Sequence, residues 1–517
     1  MAATGRPKPR NMSRGLAPFL CRLAPALLLS LTACGQRDDG TLDVAAIGEP
    51  EALFAEGARL SPGARHLRAA TRSGLVALNA QGEVVPALAD RWNVVDEGRI
   101  YVFRLREGSW PDGRDLTAES VRSALVRAMD ALEGTSLGLD LAPITEVRAM
   151  AGRVVELRLS GASPYMLNIL AQPELGLVSG EGDTGPMSLT RDGLIAQLAL
   201  RPPEQRGLPE DEDWEDDVIP ATMRAVPAAQ AIALFEAGQV ELVLNGRIGD
   251  FPIAETGPLS LGTVRIDSAI GLFGLQVRRA EGLLADPQRR EAIAMALDRQ
   301  ALLAGFNIGG WTPTTRVVSP GLPGDQGLVT ERWEDLSLAD RRAQAAARIR
   351  AWQPAEEKTS TADSEEAGTA ASLPRLSVAL GEGPGHDALF AVLARQLATI
   401  GLTLERNEDR QEADLVLVDR TARYASPLWF LNQFNCSLRR GLCSEDVDYL
   451  VEQADLQPDA ALRESLLVEA EARLMAENVY IPIGTPLRWA LLRGTVNGFA
   501  ENAWAFHPLP DMAVIPR

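Results

Sequence analysis

Histidine is nearly absent from this chain: His66, His386 and His507 are the three among 517 residues. They are scattered, so no Ser-His-Asp or His-Cys set is visible and no cluster with metal-ligand spacing can be drawn. Cysteine is also scarce, at four. Cys436 and Cys443 are not spaced as a CxxC redox pair. Aromatic residues make up 5% of the chain. Beyond the first few dozen residues no stretch is apolar enough to span a bilayer. Cations are outnumbered, 51 Lys and Arg against 70 Asp and Glu, for a net charge of −19. That argues against nucleic acid or anionic lipid as a direct ligand, because both demand cationic surface. It does not identify a cationic ligand, since a diffuse negative surface serves solubility equally well. Neither an enzyme nor a cofactor or metal protein is expected.

The N-terminus carries the clearest address. Arg6, Lys8, Arg10, Arg14 and Arg22 lead into an apolar run over residues 23–31 and then Leu31-Thr32-Ala33-Cys34-Gly35. The run is too short for a transmembrane helix, which needs roughly 20 residues, and fits the core of a removable export signal. Met1 or Met12 begins it. Small residues followed by Cys resemble a bacterial lipoprotein processing box, which makes Cys34 the expected lipidation site and an acyl anchor in a lipid bilayer the expected partner. An ordinary cleaved signal with an incidental cysteine is the alternative. Without the five basic residues of the leader the charge moves from −19 to −24. Cys436 and Cys443 then remain, and a local disulfide is the preferred reading in an exported protein, with two free thiols as the alternative.

About 480 mature residues exceed one hydrophobic core, so two or more domains are expected. Strand patterns at residues 41–47, 101–105, 154–159 and 240–244 interleave with helix patterns at 117–129 and 229–237. A helix is predicted over 286–301 and another over 339–352. Residues 356–371, rich in Glu, Ser, Thr and Ala, read as a mobile surface insertion. A β-α-β-β rhythm follows at 376–380, 386–400, 402–405 and 413–418, then helices at 446–453 and 460–477, a strand at 480–484, and strand and turn after 496. Alternation without repeats implies an α/β fold.

One stretch is distinctive. Pro86-Ala87-Leu88-Ala89, Trp92, Tyr101-Val102-Phe103-Arg104-Leu105-Arg106-Glu107-Gly108, Trp110, Asp112-Gly113, Thr117-Ala118 and Val121 run in order, and Gly185-Pro186 follows Asp183-Thr184. Residues 289–299 end in Asp298-Arg299. Tyr449, Arg463, Glu469, Ala470, Leu474 and Ile481-Pro482 complete the pattern. The chain resembles the extracytoplasmic solute-binding subunits of ABC importers, in the family that takes oligopeptides, dipeptides and nickel chelates.

The resemblance implies a two-lobed periplasmic-binding-protein fold, type II-like, with an extra N-terminal subdomain. After a signal at 1–33, residues 34–268 would form the first lobe, including the embedded subdomain. Residues 269–480 would form the second lobe, carrying the mobile insertion at 354–373, and 481–517 a tail completing the first. It implies a monomeric, periplasm-facing receptor that hands a small solute or short peptide to an ABC permease in the inner membrane. The peptide-binding branch carries an Asp-Pro pair whose aspartate meets the peptide's free amine. Here that pair reads Ser426-Pro427, and Ser cannot supply the charge that a desolvated ammonium needs. The candidate ligand-binding residues are Asp419, Arg423, Tyr424, Ser426 and Trp429, with Thr184 and Gly185 opposite. Trp110 and Asp112 read as structural. A sensor or scaffold of the same fold is the alternative function.

Overall fold

The computed structural model describes residues 40–180, 182–254, 263–323, 325, 327–352 and 373–515. The leader, Cys34 and nearly all of the expected insertion lie outside the described residues. Among the described residues the strands form four sheets.

The largest sheet is mixed and seven-stranded. Its order is Val264–Asp267, Arg488–Leu492, Leu242–Gly246, Leu42–Ile47, Ala221–Val226, Ile195–Leu200 and Met187–Asp192. Leu42–Ile47 runs parallel to both its neighbours. It is apolar along most of its length, as a strand covered on both faces must be. One face packs Leu67 and Ala70 of the helix Pro62–Thr71 with Leu509 and Met512 of the short helix Leu509–Met512. The other takes Ile232 and Phe235 of Ala228–Glu236. Gly246 lies beneath the Trp489 indole: a Cβ there would stand 2.0 Å from Trp489 Cδ2.

A five-stranded sheet, ordered Thr403–Arg406, Arg375–Ala379, Leu415–Thr421, Gly271–Val277 and Tyr480–Gly484, forms the second layer. Two chain crossings join it to the first sheet, at residues 268–270 and 485–487. The second crossing follows Gly484, because Tyr480, Ile481, Pro482 and Gly484 pair with residues 273–276 across a register shift. An antiparallel four-stranded sheet, Ala89–Val95, Ile100–Leu105, Val154–Leu159 and Ile144–Met150, stands apart from both. The helix Ala118–Asp130 covers it with Val121 and Leu125. Thr117 caps that helix through a reciprocal box with Ser120, and Trp110 Nε1 donates to Ser120 Oγ at 2.9 Å. Asp112 accepts from the Arg114 amide at 3.1 Å. The structural roles expected of Trp110 and Asp112 follow from these bonds.

Three expectations change. The 286–301 helix is two helices, Pro287–Ala296 and Arg299–Ala304, broken at extended Leu297. Asp298 accepts from Ala301 N at 3.0 Å and so starts a new helix, as an aspartate at an N-cap does. The 413–418 strand runs on as Leu415–Thr421, which puts Asp419 in the ladder opposite Phe273. The tail's strand, Arg488–Leu492, precedes residue 496. After it come turns, a single bridge at Val514 and the short helix Leu509–Met512, where Pro508 and Pro510 withhold the amides a strand would use.

Candidate solute-binding seam

Helix Ser136–Leu141 begins at Thr135, whose hydroxyl accepts from Gly138 N at 3.0 Å. Gly138 sits close to the preceding turn, since a Cβ would lie 2.3 Å from Leu132 O. This seats Asp140, 1% exposed, against a segment far away in sequence. Tyr424 Oη and Asn432 Nδ2 both donate to Asp140 Oδ1, at 2.9 and 3.0 Å. The Tyr424 ring stacks on Tyr165 with centroids 5.4 Å apart. Arg423 donates to Ser136 Oγ at 3.3 Å and faces Glu174 at 3.6 Å, a carboxylate that Arg65 meets at the same distance. Residues 136–174 therefore close against residues 423–432 through paired polar groups set within an apolar cluster.

Burial dominates the electrostatics here. It pushes Asp140 up to about 6, against Arg423, Asn432 and Tyr424, which favour the anion. Burial acts on Glu174 in the same direction, but Arg65 and Arg423 together hold it below the usual carboxylate range. The Tyr424 phenol is driven well above its ordinary value by burial and then by Asp140. Arg420 is lowered to about 9 by burial and by Arg440, Arg410 and Arg423.

The expected residues divide into three places. Arg423, Tyr424 and Ser426 lie along the seam. Ser426 Oγ accepts from Leu428 N at 3.3 Å and caps the helix Pro427–Asn432, which in turn carries Asn432 to Asp140. Trp429, on the same helix, is 1% exposed and meets Phe430 edge-on at 4.9 Å, inside the core. Asp419 lies elsewhere, paired with Arg488 at 2.6 Å beside the second crossing. Next to it Arg247, Arg488, Thr421, His66 and His507 line a cavity of ≈ 60 Å³. Thr184 and Gly185 line a third space, ≈ 370 Å³, with Trp110 and Arg201. There Thr184 Oγ1 accepts from Ser73 N and donates to Leu177 O, at 3.1 and 2.7 Å.

Cys436 and Cys443 form a disulfide with Cα atoms 5.3 Å apart. It closes the loop bearing Arg440, whose guanidinium donates to Gln433 Oε1 at 3.0 Å. Asp140, Glu174 and Asn432, which the seam brings together with Arg423 and Tyr424, escaped the sequence reading. Asp140 left one trace, a lone acid among Leu137, Leu139 and Leu141.

Two mixed sheets joined by two crossings, with polar groups meeting between distant segments, define a two-lobed fold. A structure of Haemophilus influenzae OppA in complex with RPPGFSPFR has this fold, with a TM-score of 0.75 at 16% identity over 92% of this chain and all of that one. The model of the bacterial extracellular solute-binding proteins, family 5, matches residues 83–193 and 220–440, and the chain belongs to that family. Its members are non-catalytic transport receptors, in keeping with the expected lack of enzymatic activity. Among curated relatives, the dipeptide-binding protein DppE of Bacillus subtilis is 22% identical over 464 residues, 79% of this chain and 80% of its own. The probable deoxycholate-binding periplasmic protein YgiS of Escherichia coli is 24% identical over 474 residues, 82% and 84% respectively.

Proposed function

We propose that this protein captures a peptide or peptide-like solute between its lobes and presents it to an ABC permease in the inner membrane, tethered on the periplasmic side by acyl chains on Cys34. The lobes are taken as 34–268 with the 481–517 tail, and 269–480, moving about the two crossings. The observation that carries this reading is the seam itself. In a chain of this family, Asp140, Ser136 and Glu174 meet Tyr424, Asn432 and Arg423 across hundreds of residues, so separation and closure would expose or bury one polar surface. The names of the relatives, a dipeptide-binding and a deoxycholate-binding protein, widen the solute class beyond peptides. Ser426, engaged in capping a helix, supports recognition that does not use a carboxylate at that position.

A thermal-shift screen of di- and tripeptides, bile acids and metal chelates, followed by X-ray scattering of the hits, tests the reading. A solute that raises the melting temperature and shrinks the radius of gyration supports it. A screen with neither effect favours the sensor or scaffold alternative. Labelling with a radioactive fatty acid, lost in Cys34→Ser, tests the tether separately.

A further inference from the structure

The seam opens at one end into a pocket of ≈ 200 Å³. Its walls include Ala162 and Tyr165 from one side and Leu428 and Leu467 from the other, and its ionisable groups are Asp140, Asp455, Glu464 and Arg463. Of the three carboxylates in this largely apolar pocket, Asp140 and Asp455 need explaining, because a desolvated anion is stabilised only by a partner. Asp140 spends Oδ1 on Tyr424 and Asn432, while its Oδ2 is buried with no hydrogen-bond partner. Asp455 is the less compensated of the two. Arg463 is the cation that acts on it, yet that guanidinium is held by the Gln457 and Pro458 carbonyls at 3.2 and 3.4 Å. Asp140 and Glu452 oppose the charge on Asp455, and burial with these neighbours pushes its carboxyl up to about 7. Gly161 locks the arrangement, since a Cβ there would stand 2.2 Å from Asp455 O.

We infer that this pocket receives a protonated amine carried on an apolar body, the ammonium lying between Asp140 and Asp455 and the hydrocarbon against Tyr165, Leu428 and Leu467. The ammonium would supply the donor that Asp140 Oδ2 lacks and would add a second cation to the one, Arg463, that acts on Asp455, and the Tyr165 ring offers a face that favours a cation. A bare metal ion suits the pocket poorly: its lining is mostly apolar, and among the described residues no group of three or more His, Cys, Asp or Glu is arranged to hold one. As part of a solute, the amine makes this a specificity subsite of the receptor proposed above, and the inference rests on that reading.

Ligand-observed NMR with hexylammonium, hexanol and hexanoate tests it on the full-length protein. Hexylammonium is expected to bind saturably, to bind more tightly as the pH rises through about 7 where Asp455 ionises, and to weaken about tenfold or more in Asp455→Asn. Hexanol or hexanoate binding equally well, or hexylammonium failing to bind, overturns the proposal. The headgroup and pH comparisons need no variant, so they hold even if Asp455→Asn folds poorly. A solute that closes the lobes while Asp455→Asn binds it unchanged removes the subsite and leaves the receptor intact. Hexylammonium binding without closure by any solute does the reverse.

Discussion

Replacing Asp140 with Ala tests whether the seam is a movable contact or ordinary interior. The substitution removes the acceptor that Tyr424 Oη and Asn432 Nδ2 share. When the lobes are closed both donors are left buried and unpaired, at about 1.5 kcal/mol each, ~3 kcal/mol together. When they are open both donors are hydrated and little is lost. The penalty therefore falls on the closed form, whose population relative to the open form drops by roughly a hundredfold. Asp140→Asn keeps an amide oxygen for both donors and is expected to lose far less. The assay pairs X-ray scattering, which reads the fraction closed, with urea unfolding, which reads the fold. The expected result is a larger radius of gyration for Asp140→Ala with a nearly unchanged urea midpoint. A midpoint lowered by the full ~3 kcal/mol with scattering unchanged would refute the reasoning and make the seam part of a rigid core.

Other consequences can be measured in the same way. Arg316 pairs at 2.8 Å with both Asp325 and Glu471, and Glu471 is 3% exposed, so Arg316→Met should destabilise the fold by ~3–5 kcal/mol in urea, as breaking one arm of a buried ion network does. Gly246→Ala should lower the melting temperature markedly, at a cost of ~1–3 kcal/mol or more, because its Cβ would enter the Trp489 ring. His66 is lowered to about 3 by burial and by His507 and Arg65, so its contribution is full above pH 6.5 and is lost as the pH falls toward about 3; a conservative His66→Gln variant should show a flatter acid limb in urea titrations. Asp455 runs the opposite way: raised from 3.8 to about 7, it favours the fold below pH 3.8 and withdraws that support as the pH rises to about 7, and Asp455→Asn should abolish that decline.

Much of the frame was readable from residues alone. Period-two patterns placed Ile100–Leu105 and Val154–Leu159, because each has one wet and one dry face. Thr117 announced its helix through cap chemistry. Local pattern failed where a side chain competed with the backbone: Asp298 reads as helix interior by periodicity, but its carboxylate begins a second helix. The seam was less legible for a different reason. Arg423 and Tyr424 could be nominated through the family resemblance, from the segment that matches the peptide-binding branch's Asp-Pro region, but Asp140 lies 284 residues from Tyr424, and nothing local to either encodes their meeting. Thr184 and Trp429 show the converse. Both lie in suggestive surroundings, yet Thr184 ties backbone amide to carbonyl and Trp429 fills the core.

The central claim is capture of a solute by closure of two lobes. Its most direct test is the radius of gyration of the full-length protein, measured by X-ray scattering with and without the best hit from the peptide, bile-acid and chelate screen. The account predicts a smaller radius on saturation in the wild type and a blunted change in Asp140→Ala. A solute that binds saturably while the radius stays the same in both proteins would contradict it.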